Sequence, residues 1–564
     1  MIELNNTINW KPESTGTCRF GKRLENLVDW NLSRSRYWGT PLPIWASEDY
    51  SEIKCIGSVE ELKNEIIKSV KAGVMKSDPW PDFVPGNFSN SNYNLIDLHK
   101  PFVDQIVLIS DSGKPMHREP DLIDVWFDSG AMPYAQFHFP FEINEKLNSV
   151  FPADFIAEGV DQTRGWFFTL HALATMLFDS VAFKNIISNG LVLDKNGNKM
   201  SKRLGNAVDP FETIHKFGSD PLRWYMITNA QPWDNLKFDS DGIDEVKRKF
   251  FGTLYNTYSF FALYANIDGF HFNENKIPIN ERLEIDQWII SLLNTLIAEV
   301  SDCYENYEPT KAGRAIQLFV NEHLSNWYVR LNRKRFWGGE YNNDKIAAYQ
   351  TLYTCLETVS LLAAPIAPFY MDKLFMDLNS VSKKHNVSSV HLSQWPKFNP
   401  NVVNKELENR MELAQTISSM VLWLRKKVNI KVRQPLNKIL IPVFEKQTEK
   451  LIRSVENIIL SEVNIKSIEF VDDTTGILVK KIKPNFKTLG PKFGKQMKDI
   501  SNAILSFNQT DIQKLEKEGL YNILITNQNI PITFEEVELS SEDIPGSQVM
   551  NEVTLIVDRD VNIT

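Results

Sequence analysis

Cysteine is scarce in these 564 residues, and the four present, Cys18, Cys55, Cys303 and Cys355, lie far apart. None belongs to a Cys-x-x-Cys pair or a His-rich cluster, so neither a disulfide framework nor a structural zinc site is expected. Positive charge is short as well: 62 Lys and Arg stand against 71 Asp and Glu, a net charge of −9. A chain of that sign has no global attraction for nucleic acid, so any RNA contact must come from local patches, and DNA is not an expected partner. No continuous apolar run is long enough to span a bilayer, and the first residues lack a basic-then-apolar leader. These absences predict a cytoplasmic protein without a membrane partner. With 43% hydrophobic and 24% charged residues, the composition suits a globular chain of roughly three or four units of about 150 residues each.

What is present centres on Phe151 to Asn206. An apolar strand is predicted to run into Glu158-Gly159-Val160-Asp161-Gln162-Thr163-Arg164-Gly165-Trp166. A helix from Phe167 to Phe178, a strand from Ile186 to Leu193 and the turn Asp194 to Asn198 follow, and then Lys199-Met200-Ser201-Lys202-Arg203-Leu204-Gly205-Asn206. A strand, a covering helix and a returning strand make a parallel unit whose ligand crevice lies beyond the carboxyl ends of the strands. Both polar clusters fall at such ends. Lys199 and Lys202 lie three apart with Ser201 between them, on a segment delivered by a turn that contains Gly197. Two ammonium groups on a movable loop suit a phosphate chain whose charge is redistributed during reaction. A solvated basic turn has the same composition, and spacing alone leaves both readings open.

Lys199 to Arg203 closely resembles the Lys-Met-Ser-Lys-Ser loop of the class I aminoacyl-tRNA synthetases, with Arg203 in place of the last Ser. Trp30 to Trp45, which includes Arg34, Arg36 and Tyr37-Trp38-Gly39-Thr40-Pro41, looks like the segment where such enzymes return from an editing insertion. Asp124-Val125-Trp126-Phe127-Asp128-Ser129-Gly130 is similar to the isoleucyl family's version of a strand-end motif, and Glu158 to Trp166 is similar to its amino-acid and adenylate site. The resemblance covers nearly the whole chain. It implies ATP-dependent activation of isoleucine to an adenylate, with magnesium on the phosphates, and transfer of the acyl group to tRNA(Ile). It also implies that Lys199, Met200, Ser201 and Lys202 contact ATP, with Lys199, Ser201 and Lys202 taking part in catalysis. Trp126 and Trp166 would line a pocket for a branched aliphatic side chain, and Glu158, Gly159, Asp161 and Gln162 would hold the substrate ammonium and the ribose. Ordinary core packing is the plain alternative for the tryptophans, and helix capping for the acidic residues. Arg34 and Arg36 are assigned to the surface or to the acceptor end of tRNA.

The family's His-Ile-Gly-His motif and the editing insertion are not found in the chain. A hydrophobic pocket discriminates poorly against a substrate smaller by one methylene, isoleucyl enzymes facing valine being the established case, so an editing site belongs to the complete enzyme. The expectation is therefore a C-terminal portion, incomplete and inactive alone, with a separate N-terminal half as a partner. A tRNA-binding fragment without catalysis, or one half of a split enzyme, is the alternative.

The expected fold class is α/β and α. Residues 1–50 would return from the missing insertion, 51–100 form a small insertion, and 101–242 form the C-terminal half of a Rossmann-type catalytic domain. A helical anticodon-binding bundle would follow over 243–396, then a helix and a small α/β module over 397–564. Within this frame Asp124 to Gly130 is predicted to end a buried strand, and Val103 to Ser110 and Val553 to Ile563 are predicted as strands. Leu324 to Trp337 interleaves basic and aromatic residues, and the resemblance makes Trp327, Arg330, Arg333 and Lys334 its tRNA-facing candidates, against the alternative of aromatics turned to the core. Lys480, Lys481, Lys483, Lys487, Lys492, Lys495 and Lys498 form the densest basic run, usually a solvated face but here the best local candidate for an RNA backbone contact.

Overall fold

The computed structural model describes residues 1–142, 145–442, 446–471, 479–525, 528–542, 548–550 and 561–563. The chain divides into two compact units, Met1–Asp244 with Cys303–Gly313, and Glu245–Asp302 with Arg314–Thr564.

The first unit is organised on β1 (Asn9–Lys11), helix α1 (Val125–Ala135), β2 (Ala153–Gly159), helix α2 (Trp166–Phe178) and β3 (Phe183–Asn189). The three strands are parallel, in the order β1-β3-β2. Between β2 and β3 lies α2, predicted from its apolar run and present within one residue of the expected start. It is apolar nearly all round because it is covered on more than one side. Phe167 and Leu170 join Trp10, Phe20, Phe183 and Ile186 in the core against the sheet, where each large apolar side chain contributes roughly 1.5–3 kcal/mol by leaving water. On another side α1 packs against α2 at Gly130. A Cβ there would lie 2.9 Å from Leu173 Cδ1 and 3.0 Å from the Thr169 backbone, so a glycine permits the close approach.

The same unit also holds an antiparallel sheet with a core of its own, in the order Ile53–Cys55, Ile44–Ser47, Pro115–Arg118, Leu108–Ile109. The helix Val59–Lys71 packs with it around Trp45, Ile66, Trp80 and Leu108. Ser58 caps that helix as expected, accepting the Glu61 N–H.

Two strand expectations fail here. The Asp124 to Gly130 stretch is helical; the preceding strand is only Leu122–Ile123. Val, Trp and Phe favour strands, but Asp124 accepts the Trp126 N–H and caps a helix start, and Val125 is 66% exposed, which no buried strand residue would be. The expected strand Val103 to Ser110 shrinks to Leu108–Ile109, because Pro101 opens a helical turn at Lys100–Val103.

The second unit is largely helical. Its helix Asn343–Ala363 is buried along most of its length, through Ala348, Leu352, Leu356, Val359 and Leu362. Gly252–Asp268, Phe319–Val329, Arg330–Trp337, Pro368–Ser382 and Lys405–Lys427 are further helices of this unit. Leu436–Pro442 and Ile465–Val471 then pair in parallel, with the helix Lys446–Val463 between them in sequence. Next come β4 (Val479–Pro484), helix α3 (Phe486–Phe493), helix α4 (Met497–Leu505) and β5 (Val537–Glu542). The strands β4 and β5 are antiparallel, with Lys483 opposite Glu538. Of the expected strand Val553 to Ile563, only Val561–Ile563 falls among the described residues, and it is extended. No helix among the described residues is long and apolar enough to cross a membrane.

Candidate active site

Glu158 and Gly159 are the last residues of β2, in register with Ser188 and Asn189 at the end of β3. Both polar clusters therefore leave the sheet at the same edge, as parallel β-α-β geometry requires. After Glu158 the chain makes one tight helical turn, Val160–Arg164, before α2 begins. The Gln162 side chain organises that junction: its oxygen accepts the Trp166 N–H at 3.0 Å, and its nitrogen donates to Asp161 Oδ2 at 3.0 Å. Arg19 supports the turn by donating to Thr163 Oγ1 at 3.1 Å. Glu158 and Asp161 are exposed.

The two tryptophans come together. Trp166 is partly buried and donates its indole N–H to the Ser129 carbonyl on α1 at 2.9 Å. A Cβ on Gly165 would sit 3.0 Å from Trp126, so the Trp126 ring lies directly against the start of α2. Trp126 nevertheless keeps 41% of its surface exposed. An apolar ring that is braced on one side and open on the other can cover a ligand, which a fully packed core residue cannot.

Asp124 ties this corner together. Its carboxylate accepts the Trp30 indole N–H at 2.9 Å and the Arg34 guanidinium at 2.6 Å. Arg34 is thereby an internal brace, whereas Arg36 is exposed. On the same helix, Asp128 accepts the Thr40 hydroxyl at 3.2 Å, and burial pushes its carboxyl above the ordinary range.

The lysine loop is reached through Gly190, where a Cβ would fall 2.3 Å from the Asp234 carbonyl oxygen. Only glycine lets the chain pass there. The expected single strand to Leu193 is thus interrupted, and Val192–Leu193 pairs in parallel with Leu236–Lys237 instead. Asp194 then folds the turn, its carboxylate accepting the backbone N–H groups of Asn196 at 3.0 Å and Asn198 at 2.8 Å. Asn206 closes the loop on itself. It accepts the Ser201 N–H at 2.9 Å and donates to Asp194 Oδ2 at 3.0 Å and the Lys199 carbonyl at 3.2 Å. Ser201 caps the short turn Lys202–Leu204 by accepting the Arg203 N–H. The backbone of the loop is therefore well tethered, while the Lys199 and Lys202 side chains are exposed and take part in no ion pair among the described residues. Asp194 was visible in the sequence only as a turn residue and Asn206 only as the end of the lysine segment; their closure of the loop depends on a contact twelve residues apart.

The model for tRNA synthetases class I (I, L, M and V) matches residues 1–239, and that for the anticodon-binding domain of tRNA ligase matches residues 286–440. The isoleucine–tRNA ligase of Bacteroides fragilis is 66% identical over all of this chain and 50% of its own length. The chain belongs to the isoleucine–tRNA ligase family. Other members are the ligases of Porphyromonas gingivalis, 62% identical over all of this chain and 49% of that protein, and of Clostridium tetani, 44% identical over 96% and 49%. The chain spans about half the length of these curated relatives. A solved leucyl enzyme from Agrobacterium radiobacter K84, in complex with tRNA, superposes with a TM-score of 0.46 at 21% identity over 67% of this chain and 44% of that one, too distant to carry an argument.

As a member of the isoleucine–tRNA ligase family the chain combines class I catalytic sequence with an anticodon-binding domain. The basic helix of that second match is Phe319–Val329 continued by Arg330–Trp337. Trp327, a predicted RNA contact, is only 6% exposed and faces the core, which the periodicity had left open. Arg330 is exposed but paired with the carboxylate of Glu462. Arg333 and Lys334 are exposed. Arg335 and Tyr328 are committed to Asp286, which is fully buried: the guanidinium donates to both carboxylate oxygens at 2.9 Å and the phenol donates at 2.6 Å.

Proposed function

We propose that this chain supplies the adenylate-forming strand ends and the tRNA-facing bundle of an isoleucine–tRNA ligase. The observation that carries this reading is a loop whose backbone is closed by Asn206 and Asp194 while Lys199 and Lys202 take part in no ion pair among the described residues, at the same sheet edge as Glu158 and Gly159. A basic turn with only a solvation role has no need of such bracing.

ATP brings the α-phosphate at which the isoleucine carboxylate displaces pyrophosphate, with magnesium on the phosphates. The chain's part is positioning and charge. Lys199 and Lys202 offer two mobile ammonium groups to the phosphates as negative charge develops, and Ser201 holds the turn that spaces them. Met200 packs beside the nucleotide. Trp126 and Trp166 cover the aliphatic side chain of isoleucine. Glu158 and Asp161, with Gln162 between Asp161 and the start of α2, present acceptors for the substrate ammonium and the ribose hydroxyls, and Gly159 keeps that strand end free of side-chain bulk. In the bundle, Arg333 and Lys334 face the tRNA, Arg330 would join them on leaving Glu462, and Trp327 is the core residue that holds their helix in place.

The test is isoleucine-dependent exchange of labelled pyrophosphate into ATP. It is measured on this chain alone and on this chain mixed with a polypeptide that supplies the rest of the relatives' length. Exchange in either case that Lys199→Ala and Lys202→Ala each lower roughly 10²- to 10³-fold supports the reading. No exchange in both, with tRNA binding retained, leaves a binding module and sinks the catalytic assignment.

A further inference from the structure

One basic surface is not used by the reading above. Residues 479–498 hold seven lysines and no Asp or Glu, within a chain of net charge −9. Along β4 the core residue Ile482 is 4% exposed, while Lys481 and Lys483 on either side of it face solvent, as the two-residue period of a strand dictates. Asn485 then starts α3, its side-chain oxygen accepting the Lys487 N–H at 3.1 Å. Phe486 and Lys487 consequently project from the first turn, and Phe486 is 62% exposed. Its hydrophobic neighbours Leu489, Ile500 and Ile504 already fill the core beneath. Across from Phe486, α4 presents Ser501 and Leu505, the latter 55% exposed. Lys498 lies on that same helical face by its spacing. Between these elements runs a groove of about 640 Å³, bordered by Lys483, Phe486, Lys487, Ser501, Leu505 and Glu538.

An exposed aromatic ring between two lysines that take part in no ion pair among the described residues fits a ligand with both a flat face and a negative charge. Each nucleotide of an unpaired strand offers one of each. An acidic peptide would use the lysines and leave Phe486 uncovered. We propose that this groove binds an unpaired stretch of RNA, with a base stacked on Phe486 and flanking phosphates on Lys483 and Lys487. Glu538, opposite Lys483, is placed to accept from the exocyclic amino group of that base. That the RNA is a tRNA rests on the proposed function; the groove itself is testable with plain single-stranded RNA.

The experiment is fluorescence anisotropy of the full chain with a single-stranded RNA oligonucleotide, a tRNA(Ile) transcript and polyglutamate. It compares Phe486→Ala, Phe486→Tyr and the double change Lys483→Gln with Lys487→Gln, each checked for unaltered thermal unfolding. Phe486→Ala is expected to weaken single-stranded RNA roughly 5- to 100-fold, and Phe486→Tyr to restore it. The double lysine change should lower the slope of log affinity against log salt by about 1.4, or about 0.7 per phosphate contact. RNA affinity indifferent to Phe486→Ala, or a loss shared equally with polyglutamate, overturns the proposal and leaves an unspecific charge patch. Isoleucine-dependent pyrophosphate exchange should be untouched by all these variants, so failure of the groove and failure of the catalytic reading are told apart.

Discussion

Lys199 and Lys202 keep their ammonium groups in solvent on a loop tied by its backbone and by Asp194, Ser201 and Asn206, whereas in Arg330–Trp337 the cations Arg330 and Arg335 are engaged by Glu462 and Asp286. The two stretches look alike as basic clusters in sequence. They differ in whether a carboxylate from elsewhere in the fold meets them. A buried pair such as Asp286 with Arg335 is a structural fixture, and its loss would leave the guanidinium with Asp344 as its remaining carboxylate. Exposed lysines without partners contribute little to stability and remain available for a ligand.

That contrast can be broken or sharpened by four measurements. Asp286→Ala should cost about 3–5 kcal/mol in urea unfolding, because it removes the buried acceptor shared by the Tyr328 hydroxyl and the Arg335 guanidinium, which then keeps only Asp344. A loss under about 1 kcal/mol would place the bundle cluster on a par with the lysine loop. Lys199→Ala and Lys202→Ala should each lower isoleucine-dependent pyrophosphate exchange in the competent enzyme roughly 10²- to 10³-fold while leaving unfolding unchanged. Gly130→Ala should cost about 1–3 kcal/mol by wedging α1 from α2, and should raise the KM for isoleucine more than that for ATP, since Trp126 and Trp166 ride on those two helices. The smallest effect concerns Asp194, whose carboxyl is held below the ordinary range by the Asn206 side chain first and the Asn198 backbone N–H next. A depressed carboxyl contributes stability above its unfolded pKa of about 3.9 and loses it as pH falls through the lower folded value. Asn206→Ala should move the Asp194 titration upward, read by NMR of its carboxyl carbon.

Much of the site was legible because it rests on local order. The succession of strand, helix, strand and lysine loop follows from apolar runs and turn residues, and β2, α2 and β3 are all present. The helix at Val125–Ala135 was hidden because Val, Trp and Phe favour strands, while a single capping contact from Asp124 favours the helix. Trp327 was ambiguous since its helix bears aromatics on more than one face, and only packing decides which face is inside.

The sequence by itself determined the strand, helix and strand that lead to the lysine loop, and the family, because these depend on neighbours along the chain and on residue types. The tertiary structure decided which cations meet a carboxylate among the described residues, how Gly130 and Gly190 admit close backbone approach, and that Asp124 joins Trp30 and Arg34 at one corner. Those outcomes depend on contacts between residues far apart in the chain, 94 positions for Trp30 with Asp124 and more for Arg330 with Glu462, and the energy of a charge or a cavity is set by what surrounds it in space.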